Sequence, residues 1–356
     1  MRDKIWKRVL SVAATASVLS LAACSGGATG GGASADAGNG GDGIEKHTIG
    51  WVDGTLAGSF QERLHDIAEE AVEHIGWEMQ TVDTAGDASK AAPGVSSLVS
   101  SGVDAIIMSA VTPSTARAGL IQAQAKGIPV LMVGSAVDDS LDDELGLTYI
   151  GEDEDGLTAP LAELMTTQLA AGDKVGVLYT TALASAVQRT DALTAELSEA
   201  GITVIDPLET GFDFSAGQKN ASTLINQNPD MTAIISIFDL WTAATVSSVK
   251  SSGKDIKVYS YYADAVNNPL MKDNPDMVLG LADGDMISSP LLAIDKLIAF
   301  FENGTAIDAS GQQDYNYVAV TQDTLPPGEQ NGPVAPEDAL DPYYTKWADE
   351  YGIPAS

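Results

Sequence analysis

The 356-residue chain contains one cysteine, Cys24. No disulfide can form within it, no cysteine ligand set is available, and the fold stands on its core. Histidine is nearly as scarce, with His47, His65 and His74 the three in the chain. The last two are separated by about 900° of helical turn and so point to opposite faces, and each reads as a surface residue. There is no His-Glu-x-x-His and no Gly-x-Ser-x-Gly elbow, so neither a zinc hydrolase nor a serine hydrolase has its machinery. Basic residues are few: 18 Lys and Arg face 50 Asp and Glu, a formal charge of −32. That field repels nucleic acid and phosphate-rich partners. The acidic run from Glu152 to Asp155 ahead of Gly156 fails as a calcium loop, because its first and twelfth positions would be Gly151 and Ala162. Asp153 reads as a helix N-cap followed by acids in the first turn. No strand precedes the glycine-rich stretch 25–43, so it is no dinucleotide fingerprint. Neither a cofactor nor a metal nor an enzymatic reaction is implied.

The N-terminus carries Arg2, Lys4, Lys7 and Arg8 and then an apolar run over 9–23, the pattern of a secretory signal. At about 15 residues the run is shorter than the roughly 20 that span a bilayer, and no later run reaches that length. Leu21-Ala22-Ala23-Cys24 resembles the lipobox of bacterial lipoproteins. The resemblance implies removal of 1–23 and a lipid on the Cys24 sulfur, which makes the membrane a partner. Residues 25–43 are almost all Gly, Ala, Ser, Asn, Asp and Thr, and 24–45 read as a lipidated cysteine and flexible stalk with a reach of roughly 25 Å.

The roughly 310 residues beyond the stalk suggest two domains. Strands are expected at 47–52, 78–82, 105–109 and 130–133, alternating with helices whose apolar positions recur at helical spacing, as at Leu64, Ile67, Ala68, Ala71 and Val72. A second series follows 138–144, with strands at 174–179, 203–206, 233–237, 257–261 and 277–282. This is an α/β chain forming two doubly wound parallel-sheet lobes.

Four strings in order, Thr48-Ile49-Gly50-Trp51-Val52 leading to Phe60, then Gly102 through Ile107, Gly127-Ile128-Pro129-Val130, and Phe212-Asp213 ahead of Asn228-Pro229-Asp230, resemble type I periplasmic substrate-binding proteins. The likeness is to the ribose-binding-like branch that serves ABC importers, and it spans roughly 46–322. It implies a three-segment hinge, with crossings near 134–137, 283–285 and 308–314. The lobes would be 46–135 plus 286–310 and 136–284 plus 311–324, leaving 325–356 as an extension with a helix over 336–351. It also implies a monomer outside the cytoplasm that captures a small polar solute, a sugar or polyol, and hands it to an ABC permease. In a one-membrane cell it would sit on the outer face of the plasma membrane, and in a two-membrane cell in the periplasm or outer membrane. A receptor subunit feeding a sensor rather than a transporter fits the same fold, and an amine-type ligand stays open.

In such sheets ligands lie beyond the carboxyl ends of the strands. Phe60, Phe212 and Tyr261 fall where the ribose-binding-like pattern has aromatics, and Phe238 and Trp241 offer further rings. Asp53, Asp239, Asp283 and Asp285 offer acceptors, and Gln61 and Ser109 stand in the same turns. The departures are specific. Gly134-Ser135 replaces an Asp-Arg pair, Val187 and Gln188 stand where a clamping arginine belongs with Arg189 offset, and Tyr262 replaces an aspartate. Loss of both bidentate clamps argues against ribose. Several carboxylates around the cleft would favour a donor-rich solute and disfavour anions.

Overall fold

The computed structural model describes residues 44–136, 144–308, 311–313, 315–327 and 330–355. The signal segment, Cys24 and the stalk to residue 43 lie outside the described residues.

Strands rich in Ile, Val and Leu are buried on both faces, as parallel sheets require. The first sheet holds β1 (Thr48–Asp53), β2 (Glu78–Asp83), β3 (Ala105–Ser109), β4 (Val130–Ala136), β5 (Leu147–Glu152) and, late in the chain, β12 (Gly311–Gln313). Its order is β12-β5-β4-β3-β1-β2, parallel throughout. The second holds β6 (Lys174–Tyr179), β7 (Thr203–Val204), β8 (Leu208–Glu209), β9 (Ala233–Ser236), β10 (Lys257–Tyr261), β11 (Val278–Asp283) and β13 (Val318–Val320). Its order is β13-β11-β10-β9-β6-β7, with β8 also on β6 and β13 antiparallel to β11. The helix Ser59–His74 buries the expected stripe of Leu64, Ile67, Ala68, Ala71 and Val72, and Gly76 at φ +79° closes it.

The chain passes between the sheets three times, and the first passage is not where expected. After β4 it returns to the same sheet: β5 pairs with β4 from Val130 to Val133, so the first passage is at Asp153 rather than at 134–137. The apolar run Leu147-Thr148-Tyr149-Ile150 gains more by filling the slot between β4 and β12 than by crossing. The helix Glu154–Gln168 then packs on β11 and β13. The second passage, 284–287, joins β11 to the helix Ser288–Asn303, and the third joins β12 to β13. Residues 311–313 therefore belong to the first sheet, not to the second lobe.

The crossings touch one another. Asp153 N donates to Tyr317 Oη at 2.8 Å, and Asp285 N donates to the Tyr315 carbonyl at 2.7 Å. Gly284 leaves room for this: a Cβ there would lie 2.9 Å from the Tyr317 ring and 3.0 Å from the Tyr315 carbonyl oxygen.

The C-terminal segment ties into both lobes. Its helix Pro336–Tyr351 packs on Ser288–Asn303, with Trp347 Nε1 donating to Asp295 at 3.0 Å and Lys346 beside it at 2.8 Å. Ahead of the helix, Asn331 accepts from Arg63 and from Ala265 N, and the Gln330 carbonyl accepts from Asn268. The three histidines are half-buried rather than surface residues. His47 stacks on Phe301 and His74 on Tyr344, while His65 Nε2 lies 2.9 Å from Thr81 Oγ1. No described helix is long and apolar enough to cross a membrane.

Trp347 is fully buried and satisfies a buried carboxylate. Trp347→Ala should therefore lower unfolding free energy by about 3–5 kcal/mol, read from urea denaturation. A loss below about 1 kcal/mol would show the C-terminal helix to be peripheral.

Candidate functional site

The carboxyl ends of both sheets face one cleft, which divides into two adjoining chambers of about 80 and 50 Å³. The first sheet contributes the turns after β1, β2 and β3 and Gly134-Ser135 at the end of β4, and the second contributes Ala182 to Ser185, Arg189, Phe212, Phe238 and Tyr262. Gln61, Val111, Thr112, Leu183 and Phe238 stand between the chambers and line both.

Arg189, 1% exposed, anchors the smaller chamber. Its Nε donates to Glu154 at 2.6 Å, and Nη2 donates to Glu152 at 3.0 Å and to Tyr262 Oη at 2.6 Å. Glu152 ends β5 and Glu154 opens the helix after the first crossing, so the guanidinium clamps both sides of that crossing. Burial pushes both carboxyls up, and Glu154 adds repulsion at Glu152. Burial also disfavours charge on Arg189, but Glu154, Tyr262 and Glu152 more than offset it and hold the guanidinium well above its ordinary value.

Three further contacts join the lobes. The Tyr262 ring stacks on Phe60 at 3.8 Å with 3° between planes. Arg63 donates to Asp283 at 3.1 and 3.3 Å. Asp239 Oδ2 accepts from Phe60 N at 3.3 Å, so an acid of the second lobe sits at the start of a first-lobe helix, where negative charge is favoured. Its neighbour Asp264 is raised well above the usual carboxylate range by burial and then by Asp239.

Of the residues read from sequence, Gln61, Ser135, Arg189, Phe212, Phe238, Asp239 and Tyr262 line the chambers. Asp53, Phe60, Ser109, Gln188, Trp241, Asp283 and Asp285 do not. Phe60 lies behind Tyr262, Ser109 lies beneath Gly134, and Trp241 turns its Nε1 to the Gly211 carbonyl. Asp283 is engaged by Arg63 and two backbone amides, and Asp285 accepts from Ser288. Asp53 accepts from Trp51 Nε1 and Thr55 N. The expected group of carboxylates in the cleft is thus reduced to Asp239, because buried acids take donors from the protein itself. The turn after β2, including Thr84, Gly86, Ala88 and Ala91, was not foreseen as a wall, although its place at a strand end was the available signal. On an outer face, His65, Asp66 and Glu69 bring ligand atoms within 4.8 Å of one another, but both His65 nitrogens already face Asp66 and Thr81.

A two-sheet cleft of this kind has a match in sequence. The model of the periplasmic binding protein domain aligns with residues 49–275. The chain is a member of the periplasmic binding protein family, of the type I, ribose-binding kind. Proteins of this family bind solutes and are not enzymes. The binding protein is 26% identical to the ribose import binding protein of Bacillus subtilis over 255 residues, 72% of this chain and 81% of the relative. It is 25% identical to the D-ribose/D-allose-binding protein of Pseudomonas aeruginosa over 198 residues, 53% of this chain and 60% of that relative's length. Among solved structures, an ABC transporter solute-binding protein of Mycobacterium smegmatis with bound glycerol matches with a TM-score of 0.71 at 20% identity, over 81% of this chain and all of that one.

Burial pushes the Asp53 carboxyl of this binding protein up to about 7. Its folded form therefore holds the proton more tightly than the unfolded chain does, so its contribution is complete below about pH 4 and fades as pH rises to about 7. Stability of the native protein relative to Asp53→Asn should fall over that window by up to about 1.4 kcal/mol per pH unit. Urea denaturation from pH 4.5 to 7.5 measures it, and parallel curves would place Asp53 in an ordinary solvated setting.

Proposed function

We propose that this protein captures a small neutral polar solute, a sugar or polyol, outside the cytoplasm and delivers it to an ABC permease, held at the membrane by a lipid on Cys24. The observation that carries the reading is the cleft itself, walled by strand-end turns of both lobes and bridged by Thr112 Oγ1 donating to the Ala182 carbonyl at 2.7 Å. A solute touching both walls favours the closed arrangement by its differential affinity for it. The names of the two relatives, which bind ribose or allose, and the glycerol in the Mycobacterium smegmatis protein support the sugar-polyol class. Gly134, Ser135 and Tyr262, in place of charged clamps, weigh against ribose as the preferred member. Among the described residues the Gln61 amide has no hydrogen-bond partner and faces both chambers, so it is free to fix hydroxyls.

Titration of a chain starting at residue 44 with sugars and polyols should reveal a ligand that at 100 times its dissociation constant adds about 2.7 kcal/mol of stability. Gln61→Ala should weaken that ligand about tenfold or more, the loss of a hydrogen bond to a buried polar group. Absence of any thermal shift across the panel counts against the reading.

The anchor is tested separately. Cys24→Ser should move the protein from the membrane fraction to the medium or periplasm with ligand affinity unchanged. Retention at the membrane would show that another element holds it there.

A further inference from the structure

The two chambers differ in what their polar groups are still free to do. Around the larger one, the threonine hydroxyls are turned into the protein. Thr84 Oγ1 donates to the Gly54 carbonyl at 2.6 Å, Thr112 Oγ1 to Ala182, and Thr115 Oγ1 to Thr112 at 2.7 Å. Thr55 Oγ1 is the exception, accepting from Ala57 N and keeping its own proton. The one acid, Asp239, is engaged by Phe60 N and by Asp264. The lining of this chamber is mainly apolar, and Ala88, Ala91, Phe212 and Leu240 line it and not the other.

The smaller chamber keeps hydrogen-bonding capacity. Tyr262 Oη accepts from Arg189 and retains its own proton to donate. Arg189 Nη1 makes only a long contact, 3.5 Å, to the Ile237 carbonyl. Ser185 Oγ has no hydrogen-bond partner among the described residues, and the Gln61 amide reaches this chamber as well.

We propose that the cleft selects one solute with two chemically different ends: a hydroxylated head in the smaller chamber and a short apolar substituent, such as methylthio or propyl, in the larger. The inference rests on the reading of this cleft as the sugar or polyol site and narrows it to alkyl- or alkylthio-substituted members. A space of about 80 Å³ takes a group of roughly two to four non-hydrogen atoms, against about 30 Å³ for a water in the liquid. Water there meets few free partners and is displaced at a gain by an apolar group. A hydroxyl there would lose its bonds to water and regain few, from the Gln61 amide and the Thr55 hydroxyl. Phe212 gives the chamber a lid from the second lobe: its ring lies over Gly86 of the first, 3.8 to 3.9 Å from the place a Cβ would take.

The test is calorimetric titration of the full-length chain in detergent with ribose, allose and myo-inositol, each beside derivatives carrying one methylthio or propyl group at successive ring positions. For the parent that binds tightest, at least one derivative should bind about tenfold tighter, ~1.4 kcal/mol. Phe212→Asn and Leu240→Asn should bring that ratio toward one. Ser185→Ala should weaken parent and derivative together and leave the ratio in place. If parents bind and every derivative is equal or weaker, the two-ended solute is wrong while the sugar reading stands. If no parent and no derivative binds, both fall. A tenfold preference that survives both Phe212→Asn and Leu240→Asn would also overturn the assignment, because the apolar group would then lie outside the larger chamber.

Discussion

Taking a guanidinium out of water costs several kcal/mol unless its donors are matched by oriented acceptors, and the centre of this molecule is arranged around meeting that condition for Arg189. Two carboxylates flank the first crossing, one at the end of a first-sheet strand and one at the start of a second-lobe helix, and both turn to the same side chain. Tyr261 and Tyr262 add their ring faces at 4.9 and 5.2 Å from the guanidinium carbon. The crossing peptide at Asp153 is held between these ion pairs and the Tyr317 hydroxyl. With two acids against one cation, burial and then repulsion from Glu154 raise the Glu152 carboxyl to about 8, so at neutral pH it holds a proton instead of adding a second buried negative charge. Removing Arg189 would leave both buried carboxyls without their shared donor, so the cluster fixes the geometry of the crossing more than it adds to stability.

The same condition shapes the cleft. Each acid near it has found a donor across or beside the lobe boundary: Asp283 meets Arg63, Asp239 meets the start of the first helix, and Asp53 meets Trp51. What remains to line the space is aromatic faces, methyl groups and a few hydroxyls and amides. The acidic surface and the nearly neutral cleft of this protein are therefore consistent with each other. Exposed acids need no partner, whereas buried ones are withdrawn into pairs.

Local pattern carried much of the architecture. Runs such as Ala105-Ile106-Ile107 and Ala233-Ile234-Ile235 are short and rich in β-branched residues, as a strand buried on both faces is, and the stripe through Leu64 and Ile67 recurs at the spacing of a packed helix. The strand Leu147–Glu152 escaped because it follows an acidic stretch and contains Gly151; its identity depends on β4 and β12 as neighbours. The fate of individual site residues was less legible still. Asp239 and Asp283 both follow apolar strands, yet one reaches the cleft and the other is captured by an arginine 220 positions earlier. No local signal distinguishes them, because the partner is set by lobe packing.

Tyr262 shows how a departure from the family pattern is accommodated. Its backbone sits at φ +66°, a conformation that costs a non-glycine residue about 1–2 kcal/mol. Four contacts hold it there. Its N–H donates to the Ala282 carbonyl at 2.7 Å, its carbonyl accepts from Asn267 at 2.9 Å, its ring stacks on Phe60 and its hydroxyl accepts from Arg189. A carboxylate at this position would stand beside Glu152 and Glu154, setting a third acid against one guanidinium. The phenol instead offers Arg189 a neutral acceptor and gives the cleft an aromatic wall. Substituting ring for charge here is what allows Glu152 and Glu154 to remain together at the crossing.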